Sequence, residues 1–157
     1  VARLQIVAVA ARLPAWAEAA CAEYLKRMPR GYETRRVPVK AEPRSAGRQA
    51  AQLLAAEAKR IAAVLPPGGL RIALDERGSE LSTAQFASQL RDWLSANPNV
   101  VFLIGGADGL DAEILRSSAL RLRLSSFTLP HALAQVLLCE QLYRAASLLT
   151  GHPYHRA

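Results

Sequence analysis

Aromatic residues are scarce in this chain, at 6% of its 157 residues. Cysteine occurs twice and histidine three times. Each shortage excludes something. Modules that read nucleic-acid sequence alone stack splayed bases on aromatic side chains, and this chain has few to offer. Cys21 and Cys139 sit inside apolar helical patterns with no CxxC or other ligand spacing. They read as buried structural thiols of a reducing compartment. His152 and His155 are three apart with no carboxylate near them in sequence, whereas zinc sites use three or four ligands; no metal is expected. No apolar run is long enough and clean enough to span a bilayer. The most apolar stretch, ALAQVLLCEQLYRAASLL, carries Glu140 and Arg144 in its middle. The opening VARLQIVAVAARLPAW reads as a strand flowing into a helix rather than as a signal peptide, so a cytoplasmic location is expected. There is no G-x-S-x-G elbow, no G-x-G-x-x-G and no G-x-x-x-x-G-K-[ST].

What the chain does have is positive charge, +7 overall. It is uneven: residues 1–48 hold ten Lys and Arg against four Asp and Glu, and the remainder ten against nine. A one-sided basic surface is the footprint of a nucleic-acid partner; a solvated face kept for solubility is the bland alternative.

Periodicity alternates strand and helix throughout. RLQIVAV is a strand. PAWAEAACAEYLKRM spaces Trp16, Ala20, Tyr24 and Met28 for one helix face. YETRRVPV is a strand, with Pro38 marking it as an edge. RSAGRQAAQLLAAEAKRIAAVL is a long helix with a stripe of Ala50, Leu53, Leu54, Ala58, Ile61 and Leu65. LRIALD is the third strand. Ser82 and Gln85 form a capping box for the next helix. VVFLIGG has the continuous apolarity of a strand buried on both faces. A short helix follows from about Asp111, LRLRLSSFTL is a fifth strand, and Pro130 opens a last helix to about Thr150, with Glu140, Arg144 and Ser147 on one polar stripe. Such alternation means an α/β fold with a mostly parallel five-stranded sheet and helices on both faces, in a single domain spanning 1–157. Ligands of such sheets bind beyond the carboxyl ends of the strands, which directs attention to DERG, GGADG and SSFTLPH. The last helix is so apolar that it must be covered on more than one face, which implies a second subunit.

Three motifs in order, LIGGADGL (103–110), LSSFTLPHALAQVLLCEQLYRA (124–145) and the terminal HPYHR (152–156), resemble the small SPOUT-class methyltransferases of 23S ribosomal RNA. The match is to the family that methylates N3 of a pseudouridine, the large subunit methyltransferase H family. LQIVAVA, EYLKRMP and LDERGSELST extend the resemblance over nearly the whole chain.

The resemblance implies an α/β knot, with the C-terminal segment threaded into a trefoil, and S-adenosylmethionine held largely by backbone groups. It implies a homodimer with the active site at the subunit interface, acting on 23S rRNA in the assembled ribosome. By motif, the cofactor contacts fall on Leu74, Gly105, Leu124, Ser125, Ser126, Phe127, Thr128 and Leu129. The functional tail falls on Tyr154, His155 and Arg156, with Arg144 as a substrate contact. His155 or Tyr154 is then expected to assist proton removal, and Arg144 and Arg156 to hold RNA phosphate or a base oxygen. Replacing Gly105 with valine is expected to abolish cofactor binding in a folded protein, by filling the ligand's space. Two positions depart from the family pattern: Ala10 stands where glycine is common, and Gln135 where arginine is common. A non-catalytic RNA-binding module would explain the charge but not the glycine loop and tail, and a nucleotide-dependent oxidoreductase lacks its fingerprint.

Overall fold

The computed structural model describes residues 2–10, 12–44 and 47–151. Within them strands and helices alternate: β1 (Ala2–Val9), α1 (Ala15–Lys26), β2 (Tyr32–Val39), α2 (Ala50–Val64), β3 (Leu70–Glu80), α3 (Thr83–Ala96), β4 (Asn99–Ile104), α4 (Ala112–Ser117), β5 (Leu120–Arg123) and α5 (His131–Thr150). The strands form one sheet in the order β2-β1-β4-β3-β5. Every pairing is parallel, as helical crossovers require. β2 is an edge strand, so Pro38, opposite Ala8, costs the sheet little.

The central strand β4 explains the layering. Val100, Phe102 and Ile104 belong to a core shared with Ala17 and Cys21 of α1, Phe86 and Leu90 of α3, and Leu138 and Leu142 of α5. The intervening Val101 and Leu103 belong to a second core with Ile61 of α2 and Ile114 of α4. Alternate side chains of one strand thus serve opposite faces of the sheet, and an uninterrupted apolar run is the result.

Several local expectations shift. On α1 the buried residues are Ala17 and Cys21, one position along from the expected stripe, and Trp16 is 57% exposed. Small side chains there let α1 lie close to α5, where the Cys21 and Cys139 thiols meet. The second helix begins at Ala50, six residues later than its pattern suggests: the Gln49 amide donates to the Gln52 side chain (3.3 Å), while Arg44 and Arg48 serve other contacts. β3 continues past Asp75 to Glu80 through an irregularity between Leu74 and Ser79. Ser147 is fully buried, its hydroxyl donating to the Tyr143 carbonyl (2.8 Å), so it does not share a polar face with Glu140 and Arg144. The Ser82–Gln85 capping box forms in both directions, at 2.8 and 3.1 Å. The apolar surface of α5 is covered in part by α1 and α3 within the chain.

Candidate functional site

The carboxyl ends of β4 and β5 lead into the two loops that the sequence marks. The first, Gly105–Gly109, closes on itself: Gly106 and Gly109 form an isolated bridge, and the Gly109 N–H donates to the Gly106 carbonyl (3.1 Å). Gly109 has φ +78°, a conformation that favours glycine. At Gly105 a Cβ would lie 2.3 Å from the Gly109 carbonyl oxygen. The hydrogen of Gly105 therefore faces the loop's own backbone, which corrects the expectation that a side chain there would fill ligand space in an otherwise intact fold.

The second loop runs from Leu124 to Pro130. Leu124 packs against the core, while Ser126, Phe127 and Thr128 are exposed, Phe127 at 84%. Among the described residues, the amides of Ser125–Leu129 make one hydrogen bond, from Phe127 N–H to Ser125 Oγ (2.9 Å). Ser126 Oγ donates to Glu80 Oε1 (2.7 Å), tying the loop to the end of β3. That bond, and then Arg123 at 3.0 Å, hold the Glu80 carboxyl below its usual range. Leu74 lies opposite Leu122 where β3 and β5 pair. Main-chain donors with no partner among the described residues, beside a glycine turn, are what a backbone-held cofactor needs, so the residues fit the expected ligand.

His131 joins the two loops, and sequence reasoning passed it over. Its role follows from donor logic. Arg36 can only donate, so the Gln135 oxygen that receives its Nε (3.3 Å) and Nη2 (3.1 Å) is fixed as the acceptor. The Gln135 amide nitrogen then donates to His131 Nε2 at 2.9 Å. Accepting at Nε2, the imidazole is neutral with its proton on Nδ1. Burial pushes its pKa down, against a smaller upward pull from the Gly105 backbone. Arg36 continues to Glu18 (2.7 Å) on α1 and thereby holds that carboxyl below its usual range. Gln135 is 3% exposed. An arginine in its place would set two guanidinium groups together, so in this chain glutamine suits its neighbours.

A second brace reaches the glycine loop from α2. Glu57 is 2% exposed. Its Oε2 accepts from the Glu42 amide (2.9 Å) and from Arg44 (3.1 Å), and the same guanidinium reaches Asp108 of the loop at 3.2 Å. The sequence did offer a signal: Leu53, Glu57 and Ile61 share one helical face, and a glutamate between buried aliphatics must find partners.

Arg144 is ion-paired with Glu140 (2.6 Å) in partly buried surroundings. It lies 13 residues beyond His131, or about 20 Å along the helix axis. One chain therefore does not bring Arg144 to its own glycine loop. Tyr154, His155 and Arg156 lie outside the described residues. The described residues contain no group of side chains that could hold a metal ion, and no helix long and apolar enough to cross a membrane.

A family model described as predicted SPOUT methyltransferase matches residues 2–155. The chain belongs to the SPOUT methyltransferase family. Two relatives carry the name ribosomal RNA large subunit methyltransferase H. The one from Bordetella pertussis is 51% identical over 99% of both chains, and the one from Verminephrobacter eiseniae is 52% identical over 98% of this chain and 99% of its own. Solved structures agree on the fold of this SPOUT methyltransferase. A probable methyltransferase from Bordetella pertussis superposes with a TM-score of 0.58 at 17% identity, covering 92% of this chain and 96% of that one. A probable methylase family protein from Haemophilus influenzae gives 0.56 at 16% identity, covering 99% of this chain and 70% of that one.

Proposed function

We propose that this chain is an S-adenosylmethionine-dependent methyltransferase that modifies N3 of a pseudouridine in 23S rRNA of the assembled ribosome, in the cytoplasm. The reading rests chiefly on half-identity, over nearly the full length, to relatives named large subunit methyltransferase H. The two loops fit it: Gly105 and the Leu124–Leu129 backbone would hold the cofactor beside Leu74. A trefoil threading of the C-terminal segment belongs to the same reading.

When bound, the cofactor supplies an electrophilic methyl group. The protein's share is to align the attacking nitrogen, worth about 7–11 kcal/mol when done well, and to take its proton. We assign the proton to His155 or Tyr154; an imidazole has the better ordinary pKa, about 6.5. Arg144, oriented by Glu140, and Arg156 hold phosphate or the developing negative charge.

The length of α5 supports a dimer. α5 has 20 residues and is about 30 Å long. His155 is four residues beyond Gly151, and an extended chain gains at most about 3.6 Å per residue. Four extended residues span at most about 14 Å, roughly half the length of that helix. A homodimer in which each tail serves the partner's cofactor loops removes the shortfall.

Labelled S-adenosylmethionine incubated with ribosomes, followed by mapping of the label, tests the reading. Label on a pseudouridine of 23S rRNA is expected; no transfer to ribosomal RNA would overturn it. Because a small basic domain with few aromatics has little means of choosing a sequence by itself, ribosomes should be methylated faster than a synthetic pseudouridine hairpin.

A further inference from the structure

Of the three segments that the sequence marks, Asp75–Gly78, a bulged loop within β3, has no part in the site described so far. It is pressed onto β5. A Cβ on Gly78 would lie 2.6 Å from the Arg121 carbonyl carbon and oxygen and 2.8 Å from Leu122 N. Only the lack of a side chain permits that seat, and it sets Arg77 beside the edge strand. Between this loop, the start of β5 and the end of α4 lies an open cleft of about 590 Å³, lined by Arg77, Arg116 and Arg121 with Ser79 and Ser118, and by no acidic residue. Arg71 donates to Ser117 Oγ (3.0 Å) and so fixes one rim.

Most described arginines are engaged in ion pairs. Arg116 has Glu113, but Arg77 and Arg121 have no acidic partner among the described residues. Asp75 is turned onto the loop itself, accepting the Arg77 amide at 3.1 Å. Ser79 of the cleft is followed by Glu80, which receives Ser126 Oγ, so the end of β3 links the cleft to the Leu124–Leu129 segment.

We propose that this cleft holds the sugar-phosphate backbone of the RNA substrate, with Arg77 and Arg121 as its phosphate contacts. The proposal rests on the RNA-methyltransferase reading above. A guanidinium fork matches phosphate oxygens. The open form of the cleft suits a strand passing through, and Glu80, next to Ser79 of the lining, ties that end of the cleft to the Leu124–Leu129 loop.

The test is the Arg77→Gln/Arg121→Gln double variant of the full chain. Methyl transfer to ribosomes is followed across a salt series, and binding to protein-free duplex RNA is measured in parallel. Each lost phosphate contact should flatten the log–log salt slope by about 0.7–0.9. The double variant should therefore lose about 1.4–1.8 units, with KM for ribosomes raised about tenfold or more at low salt and converging with wild type at high salt. Affinity for S-adenosylmethionine and the melting curve should not move. The Arg77→Lys/Arg121→Lys variant, which keeps the charges, should retain most of the slope. An unchanged slope overturns the proposal. So does a raised KM with the slope intact, which would point to a ribosomal protein as the occupant. If wild type methylates no ribosomal RNA while the Gln variant still loses salt-dependent RNA binding, the functional reading falls and the cleft stands.

Discussion

A methyl group added at Gly105 would run into one peptide group: Gly109 O at 2.3 Å and Gly109 C at 2.4 Å, with Leu110 N at 2.9 Å. Carbon–oxygen approaches in proteins bottom out at about 3.3 Å, so the loop must open by about 1 Å, and no side-chain rotation can absorb the shift. Overpacking of this kind costs about 1–3 kcal/mol. Opening the loop also strains the Gly109-to-Gly106 bond of 3.1 Å, a further ~1 kcal/mol. Gly105→Ala should thus lose about 2–4 kcal/mol and, against a typical stability of about 5–15 kcal/mol, should still fold. At about 2–4 °C per kcal/mol for this chain length, the melting temperature should fall by about 4–16 °C. Methyl transfer should fall about 10²-fold, the usual cost of a 1 Å misplacement. Gly106→Ala is the control: its Cβ meets a side-chain methyl, Val9 Cγ1, at 3.3 Å, and that neighbour can give. Thermal melts without cofactor, paired with calorimetric titration of S-adenosylmethionine, separate the two meanings of this glycine. If Gly105→Ala keeps the wild-type melting temperature and loses binding, its Cβ faces the ligand and the reasoning from Gly109 is wrong.

Arg44→Ala strips the buried Glu57 of its charged partner. Since Arg44 itself is partly exposed, a loss of about 1.5–3 kcal/mol is expected in urea unfolding, and a change below about 0.5 kcal/mol would deny the brace. His131 has its folded pKa below its unfolded value of about 6.5. In that window the unfolded chain binds more protons, so stability rises with pH and is lost as pH falls below about 6.5. His131→Asn should flatten that dependence, and a variant that keeps the full wild-type slope would count against the neutral imidazole. Removing residues 152–157 should leave cofactor affinity within a few-fold and cut methyl transfer by about 10²–10⁴. Loss of cofactor binding in that truncation would make the tail part of the pocket wall.

The alternation of elements, the buried central strand, the edge proline and the Ser82 cap were legible because each is written in a short window of residue types. The α1 face was misread because periodicity rewards large apolar residues, whereas close helix contact selects the small Ala17 and Cys21. The glycine loop was found, but the reason for Gly105 was not, since only the fold brings Gly109 across it. His131, Gln135 and Arg36 were invisible as a unit because 99 residues separate the last two. Nor does sequence spacing reveal that Gly78 lets an arginine loop settle on β5.

The chain from Glu18 through Arg36 and Gln135 to His131 joins the two ends of the polypeptide on one loop. During synthesis the first strand, first helix and second strand leave the ribosome early, with Arg36 and Glu18 ready to pair. Gly105 follows, without its clamp. Only when α5 has emerged can His131 come up to the Gly105 backbone and Gln135 close the connection to Arg36. Until then β1, β2 and β4 can pair, but the glycine loop at the carboxyl end of β4 lacks this brace. The braced loop is therefore among the last features that the nascent protein acquires, and a chain stalled before residue 135 would present a nearly complete sheet without it.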